Sequence, residues 1–437
     1  MIHRFRSALA LGALLLPALA LAQAPVIQIS GANFRPLPLA VTPPRADAAA
    51  SAAASEVDSA LMFDLQAATL FQVLERKSFL ADPKEGFTAQ EIQFPRWADV
   101  GAEALVKTQL SLDEAGNLTG VLRLFTVGSG RQDFEVTKKA DAKNPRRLAH
   151  QLADALYRYF THEPAPFLSR ITFAVKTPQG KDVWLSDWDG HNAQPVAQGG
   201  LNLLPTVTPD GQGVAFTSFR RGKPELYVQK PGSRPELLVG SGQMVTGVAY
   251  SPDGKHIAYS QAAGEGAQIW IANADGSGAK QITDALYAIN SSPAWSPDGK
   301  RIAFVSTRGG SPQIYTMAAD GKDVRRLTFK GSYNQTPEWS PRGDLIAFTA
   351  RDERNAFDLF TINVANGKVT RLTQDQGNNE EPAFSPNGRQ ILFTSTRDGG
   401  THLYVMAADG SNQLPLPISE RGAFSTPDWG PASADKE

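Results

Sequence analysis

The chain has 437 residues, room for about three domains at roughly 150 residues each, or two if one is a large all-β unit. Forty-three Lys and Arg against 44 Asp and Glu leave a net charge of −1, so no bulk field gathers nucleic acid or anionic lipid. Zero cysteine removes disulfides, thiolate metal sites, a Cys nucleophile and a lipidated N-terminal Cys at once, while 38 Gly and 30 Pro without a collagen-like period point to a turn-dense protein.

Arg4 and Arg6 precede an uncharged apolar stretch, 8–22, that ends in Ala20-Leu21-Ala22. This is the pattern of a secretory signal cleaved after Ala22, and 15 apolar residues fall short of the roughly 20 needed to span a membrane. The mature protein is therefore expected in an exported compartment, where a chain without disulfides relies on core packing. Residues 23–55 read as a flexible mature N-terminus, a short strand-like run at Val26 to Ile29 followed by a proline-rich, then alanine- and serine-rich tether. Residues 56–165 read as a small α/β domain. Helical spacing predicts helices over 56–76 and 144–160, the latter burying Leu148, Leu152, Leu156 and Tyr159, with a third over 96–105. Alternation over 106–111 and 118–127 around Ala115-Gly116-Asn117 predicts a hairpin.

From residue 166 to 432 the chain repeats. Thr208-Pro209-Asp210-Gly211, Ser251-Pro252-Asp253-Gly254, Ser296-Pro297-Asp298-Gly299, Ser340-Pro341-Arg342-Gly343, Ser385-Pro386-Asn387-Gly388 and a final Gly430-Pro431 place prolines 43, 45, 44, 45 and 45 residues apart. That period belongs to propeller blades. A second set of turns, Asp275-Gly276, Asp320-Gly321, Asn366-Gly367 and Asp409-Gly410, implies two hairpins and four antiparallel strands per period. Each sheet then has two apolar faces that only neighbours can cover, so the units close into a ring. Gly430-Pro431 has no strand after it, whereas 170–200 carries three strand-like runs. The sixth blade is expected to be composite, which hides two sheet edges. The fold class is an N-terminal α/β domain followed by an all-β, six-bladed β-propeller with four-stranded blades.

The search for chemistry is mostly negative. No Gly-x-Ser-x-Gly elbow, Walker A loop or dinucleotide fingerprint occurs, and the repeats leave no room for a hydrolase domain. His150, His162, His191, His256 and His402 lack metal-ligand spacing and read as surface or capping residues. Glu380-Glu381 lacks the loop of spaced oxygens that calcium requires. No catalytic residue, metal or cofactor is expected. Polar residues recur a few positions before each repeat proline: Asn202, Gln243 and Met244, Asn290 and Ser291, Asn334, Gln335 and Thr336, Asn378, Asn379 and Glu380, and Ser425. Hairpin order puts them at one mouth of the central channel, where amides can hydrogen-bond an inserted peptide; as loop filler they would do nothing of the kind. The alternatives are a propeller enzyme, whose carboxylates would have to converge on the axis, and a propeller binding a small ligand or metal.

The mature start Val26-Ile27-Gln28-Ile29-Ser30-Gly31, the runs Trp97 to Val106 and Arg146 to Ala155, and the Ser-Pro-Asp-Gly array together resemble the TolB family, periplasmic proteins of the Tol-Pal system. The resemblance spans nearly the whole mature chain. It implies a non-enzymatic periplasmic scaffold that supports outer-membrane integrity and constriction during division. The implied partners are the lipoprotein Pal, the inner-membrane-anchored TolA and other outer-membrane proteins, with the chain itself a monomer. TolA binding falls on Gln23, Ala24, Pro25, Val26, Ile27, Gln28, Ile29, Ser30, Gly31, Ala32, Asn33 and Phe34, whose alternation suits strand addition. Pal binding falls on Gln243, Met244, Asn290, Ser291, Ser292, Asn334, Gln335, Thr336, Asn379 and Glu380. The second repeat departs from the family pattern, reading Gln243-Met244-Val245-Thr246-Gly247 where a polar run ending in Pro is usual, and Ala48 to Ala54 resembles a local insertion.

Overall fold

A computed structural model of the chain describes residues 35–82, 84–351 and 353–432. The expected signal segment 1–22 and the TolA-binding run 23–34 lie outside the described residues.

The expected tether over 35–55 is instead part of the first domain. Strand β1 (Leu37–Val41) is buried along most of its length and lies inside a sheet, and β2 (Arg45–Ala46) follows it at once. A single 3₁₀ turn, Ser51–Ala53, leads into helix α1 (Ala54–Ala67), so the alanine-rich stretch is folded as well. Five residues are too few for a periodic signal, and Pro38 within them reads as a loop. The expected helix over 56–76 stops early: Thr69 takes a left-handed φ of 61°, and Phe71–Val73 becomes strand β3, paired in parallel with β1. The third expected helix is a single short piece, α2 (Phe94–Asp99), opened by Pro95 and stopped before Gly101 at φ +80°. The hairpin forms as β4 (Ala104–Leu112) and β5 (Asn117–Thr126). An unexpected β6 (Arg131–Asp141) adds the outer edge, giving sheet order β3-β1-β4-β5-β6 with β2 also on β4. Charge hid β6 from the pattern: only Phe134, Val136 and Ala140 pack inward.

Helix α3 (Pro145–Thr161) begins where Asn144 accepts a hydrogen bond from the Arg147 amide and ends at His162 in the left-handed cap. It buries Leu148, Leu152, Leu156, Tyr157 and Phe160 with α1 against the sheet; Tyr159, expected inside, is half-buried. Each such leucine is worth about 1.5–3 kcal/mol of burial.

The propeller closes in six four-stranded antiparallel sheets: blades 1 to 5 span 202–239, 245–281, 290–326, 334–371 and 379–415. Blade 6 joins the last strand, Phe424–Ala432, to β7 (Ser169–Thr177), β8 (Gly180–Asp187) and β9 (Gln194–Ala197), as expected. Adjacent blades share cores; Ala303 and Val305 of blade 3 pack with Trp339, Ile346 and Phe348 of blade 4. The Ser-Pro-Asp-Gly turns are held by the serine, as where Ser296 Oγ donates to Asp298 Oδ1 (2.6 Å) and accepts from the Arg301 amide (2.9 Å).

Every innermost strand runs toward these turns, which gives the ring a turn face and, opposite it, a loop face formed by the connections between blades. The N-terminal domain sits on the turn face of blades 4 to 6. Arg389 pairs with Glu163 (3.1 Å), Asn387 Nδ2 donates to the Pro164 carbonyl (3.1 Å), Gln390 to Ala67 (3.1 Å) and Asn412 to Gln66 (2.8 Å).

Candidate binding face

Each innermost strand enters the channel from the loop face and carries the same irregularity. Its register slips between Leu203 and Thr206, Thr246 and Val248, Ser291 and Ala294, Gln335 and Glu338, Glu380 and Ala383, and Ser425 and Asp428. At each slip one residue is left-handed: Leu204 (φ 50°), Gly247 (63°), Ser292 (52°), Thr336 (47°), Glu381 (59°) and Thr426 (48°). Proline follows five of the six and removes an N–H from the ladder. For a non-glycine residue this conformation costs about 1–3 kcal/mol and persists only where the surroundings impose it. Threonines of neighbouring blades do so: Thr217 Oγ1 accepts from the Gly247 amide (3.1 Å) and Thr349 Oγ1 from the Glu381 amide (3.0 Å). The bulges aim Leu204, Ser292, Thr336, Glu381 and Thr426 at an axial cavity of about 570 Å³. Gly247 supplies without strain the conformation its counterparts reach before proline, which accounts for the second repeat's different sequence.

The recurring asparagines do not face this cavity. Asn202, Asn290, Asn334 and Asn379 are at most 2% exposed, so three residues expected among the Pal contacts, Asn290, Asn334 and Asn379, are buried in the free chain. Asn290 Nδ2 donates to Gln268 Oε1 of the preceding blade (2.9 Å), which also accepts from Thr283 (2.7 Å). Asn334 repeats this with Gln313 (2.8 Å) and Thr328, and Asn379 with Asp358 (3.1 Å) and Thr373. On the other side Asn290 Oδ1 accepts from Arg308 (3.0 Å) and Asn379 Oδ1 from Arg397 (2.9 Å) and Ser395 (2.8 Å). These amides bolt blade to blade, with both Nδ2 hydrogens of each engaged inside the protein.

What the loop face does expose is Gln243 and Met244, with Ser291, Ser292, Gln335, Thr336 and Glu380 half-exposed along the bulges. Sequence reasoning missed the largest contributors. Leu286, Tyr287 and Ile289 between blades 2 and 3, and Phe329 and Tyr333 between blades 3 and 4, stand in solvent, with Leu286 81%, Phe329 73% and Tyr287 69% exposed. Leu201 and Met244 continue the patch on the adjoining connections. Loop residues are expected to be polar, so Leu-Tyr-Ala-Ile directly after Ile-Thr-Asp-Ala was the signal available. Exposed apolar side chains grouped in this way make the loop face a candidate interaction surface.

Glu338, Glu381 and Asp428 line the channel below the mouth, and Glu380 stands at its rim. Burial, aided by the nearby Asp428 charge, pushes the Glu338 carboxyl up to about 8. Burial raises Asp428 to about 6 against hydrogen bonds from the Val207 and Trp429 amides. Burial also raises Glu380 to about 6, with the Glu381 charge adding to it and Arg351 pulling back. Among the described residues no His, Asp and Glu side chains group as metal ligands. No described helix is long and apolar enough to cross a membrane.

The fold and this face define a two-domain propeller protein in which a small α/β domain sits on one side of the ring and a bulge-rimmed channel mouth with an apolar border occupies the other. Residues 25–132 match the family described as the TolB amino-terminal domain and residues 157–433 the one described as the TolB beta propeller domain. The chain belongs to the TolB family of the Tol-Pal system. It is 64% identical over 419 residues to the Tol-Pal system protein TolB of Myxococcus xanthus, covering 96% of this chain and 97% of the relative. Its identity to the protein of the same name from Anaeromyxobacter dehalogenans is 46% over 434 residues, 98% and 99% of the two chains. The crystal structure of TolB from Acinetobacter baumannii matches with a TM-score of 0.76 at 25% identity, covering 91% of this chain and 97% of that one.

Proposed function

We propose that the chain is a periplasmic scaffold of the Tol-Pal system without enzymatic activity, holding Pal on the loop face and TolA through residues 23–34. The observation that carries the Pal assignment is the run of exposed apolar side chains on the loop-face connections from Leu201 to Tyr333, on the side opposite the N-terminal domain. Contacts come from Gln243, Met244, Ser291, Ser292, Gln335, Thr336 and Glu380, joined by Leu286, Tyr287 and Phe329, while Asn290, Asn334 and Asn379 hold the blades beneath them. Arg35, the residue after the TolA segment, is exposed and pairs with Glu103 (2.6 Å) at the surface of the first domain. Reciprocal coupling of roughly 1–3 kcal/mol between the two regions would change each affinity about 5- to 150-fold. Such a scaffold supports outer-membrane integrity and constriction at division.

Titration calorimetry with the soluble domain of Pal tests this. Tyr287→Ala with Phe329→Ala is expected to weaken binding by about 10- to 100-fold, as loss of central aromatic anchors does. Unchanged affinity would remove Pal from this face. Deleting residues 23–34 is expected to abolish capture by TolA, and intact capture would remove TolA from that segment.

A further inference from the structure

His150 was expected at the surface, and the structure buries it to 3% exposure where the domains meet. Its ring is wedged between two carboxylates that are wholly buried and belong to different domains. Nδ1 lies 2.8 Å from Asp64 Oδ2 on α1, and Nε2 lies 3.5 Å from Asp189 Oδ2 in the turn after β8. Arg146, one turn earlier on α3, also pairs with Asp189 and donates to Ser59 of α1 (3.1 Å). Trp188 Nε1 donates to the second oxygen of Asp64 (3.0 Å), and the Trp188 ring stacks on Trp429 of the closing strand at 6.0 Å and 7°. The remaining titratable groups facing the ring are Asp187 and His191 of the same blade 6 turn, with His191 Nδ1 3.5 Å from Asp189.

We propose that this junction is a proton-operated latch, in which a doubly protonated His150 ties α1 and α3 to blade 6 and loss of its proton loosens the domains. Neutral imidazole carries one N–H and can serve one carboxylate; the second nitrogen then turns a lone pair toward the other. With the proton, Asp64 and Asp189 are balanced by His150 and Arg146. Without it, a net negative charge is left buried between the domains, where an unpaired charge is strongly destabilising.

The electrostatics agree in sign. Burial alone would lower His150, but the charge and hydrogen bond of Asp64, followed by Asp189 and Asp187, hold it above its ordinary value. Burial raises Asp64 to about 6, with His150 and Arg146 pulling it back. Against burial, His191, His150 and Arg146 hold Asp189 well below the usual carboxylate range. A histidine raised in the fold contributes its full stabilisation below its unfolded value near 6.5 and loses it as pH climbs through the raised value. Asp64 acts in the same direction at lower pH, and Asp189 opposes only in strong acid. The latch closes at mildly acidic pH and opens toward alkaline pH.

Absence of cysteine makes the test direct, because exposed Lys139→Cys and Lys300→Cys label one site in each domain. Distances between spin labels on the full chain should form one narrow distribution at about pH 6 and broaden or split by about pH 9, with the midpoint at the His150 titration followed by NMR. His150→Gln should remove the pH response; if that variant does not fold, the match between the two midpoints in the otherwise native chain decides. Distributions unchanged between these pH values, or a midpoint unrelated to His150, would overturn the latch.

Discussion

Replacing Asn379 by alanine separates blade bolting from partner contact. Asn379 is fully buried, donates to Asp358 Oδ1 and accepts from Ser395 and Arg397. A buried hydrogen bond to a charged group is worth about 1.5–3 kcal/mol and a neutral one about 1. The neighbours retain other partners: Thr373 and Arg371 still hold Asp358, and Arg397 keeps Ser395, Gln413 and its stack on Tyr404. The net loss is then about 3 kcal/mol. At about 2 °C per kcal/mol for a propeller of this size, Tm should fall by about 6 °C. Calorimetric titration of Pal at 25 °C, where the variant is folded, should give a Kd within about twofold of the native chain. A native Tm together with a tenfold weaker Kd would show that Asn379 meets the partner, and the bolting argument would be wrong.

Glu338→Gln tests the channel charge. A carboxyl held at about 8 in the fold, above its ordinary 4.5, favours the native state in acid, and that contribution disappears as pH rises through 8. Tm should therefore fall between about pH 5 and pH 8, and the glutamine should flatten the upper part of the fall; an identical pH profile would contradict the buried charge. Matching turn glycines should respond differently to alanine. At Gly276 a Cβ would lie 1.9 Å from the Leu238 carbonyl oxygen, while at Gly367 it meets nothing within 4 Å. Both have left-handed φ, so Gly276→Ala should lower Tm by several degrees more than Gly367→Ala, and equal shifts in thermal melts would refute the close approach.

The propeller was legible because its turns are chemically specific: Pro-Asp-Gly and Asp-Gly recur at fixed offsets, and the leftover strand pattern at 170–200 foretold the composite blade. The first domain was less so. Strand β1 is short, apolar and proline-bearing, and β6 is charged along its outer face, so neither shows a clean period. Recurrence of asparagine at one repeat position was visible, but its cause was not. Repetition reports what every blade needs to build itself, and these amides satisfy Gln268, Gln313 and Asp358 of the preceding blade. The exposed apolar side chains offered for binding stand instead where the blades differ, at Leu286, Tyr287 and Phe329, which no repeat comparison singles out as structural. His150 was misread because its partners, Asp64 and Asp189, are distant in sequence and meet only when the domains dock.

We propose the loop face as the Pal site. Hydrogen exchange of the full chain with and without the soluble Pal domain tests it directly. Protection is expected in 241–247, 284–292 and 329–336, with the Ser-Pro-Asp-Gly turns at 251–254 and 296–299 unchanged. Protection confined to those turns or to the sheet of the first domain would contradict it.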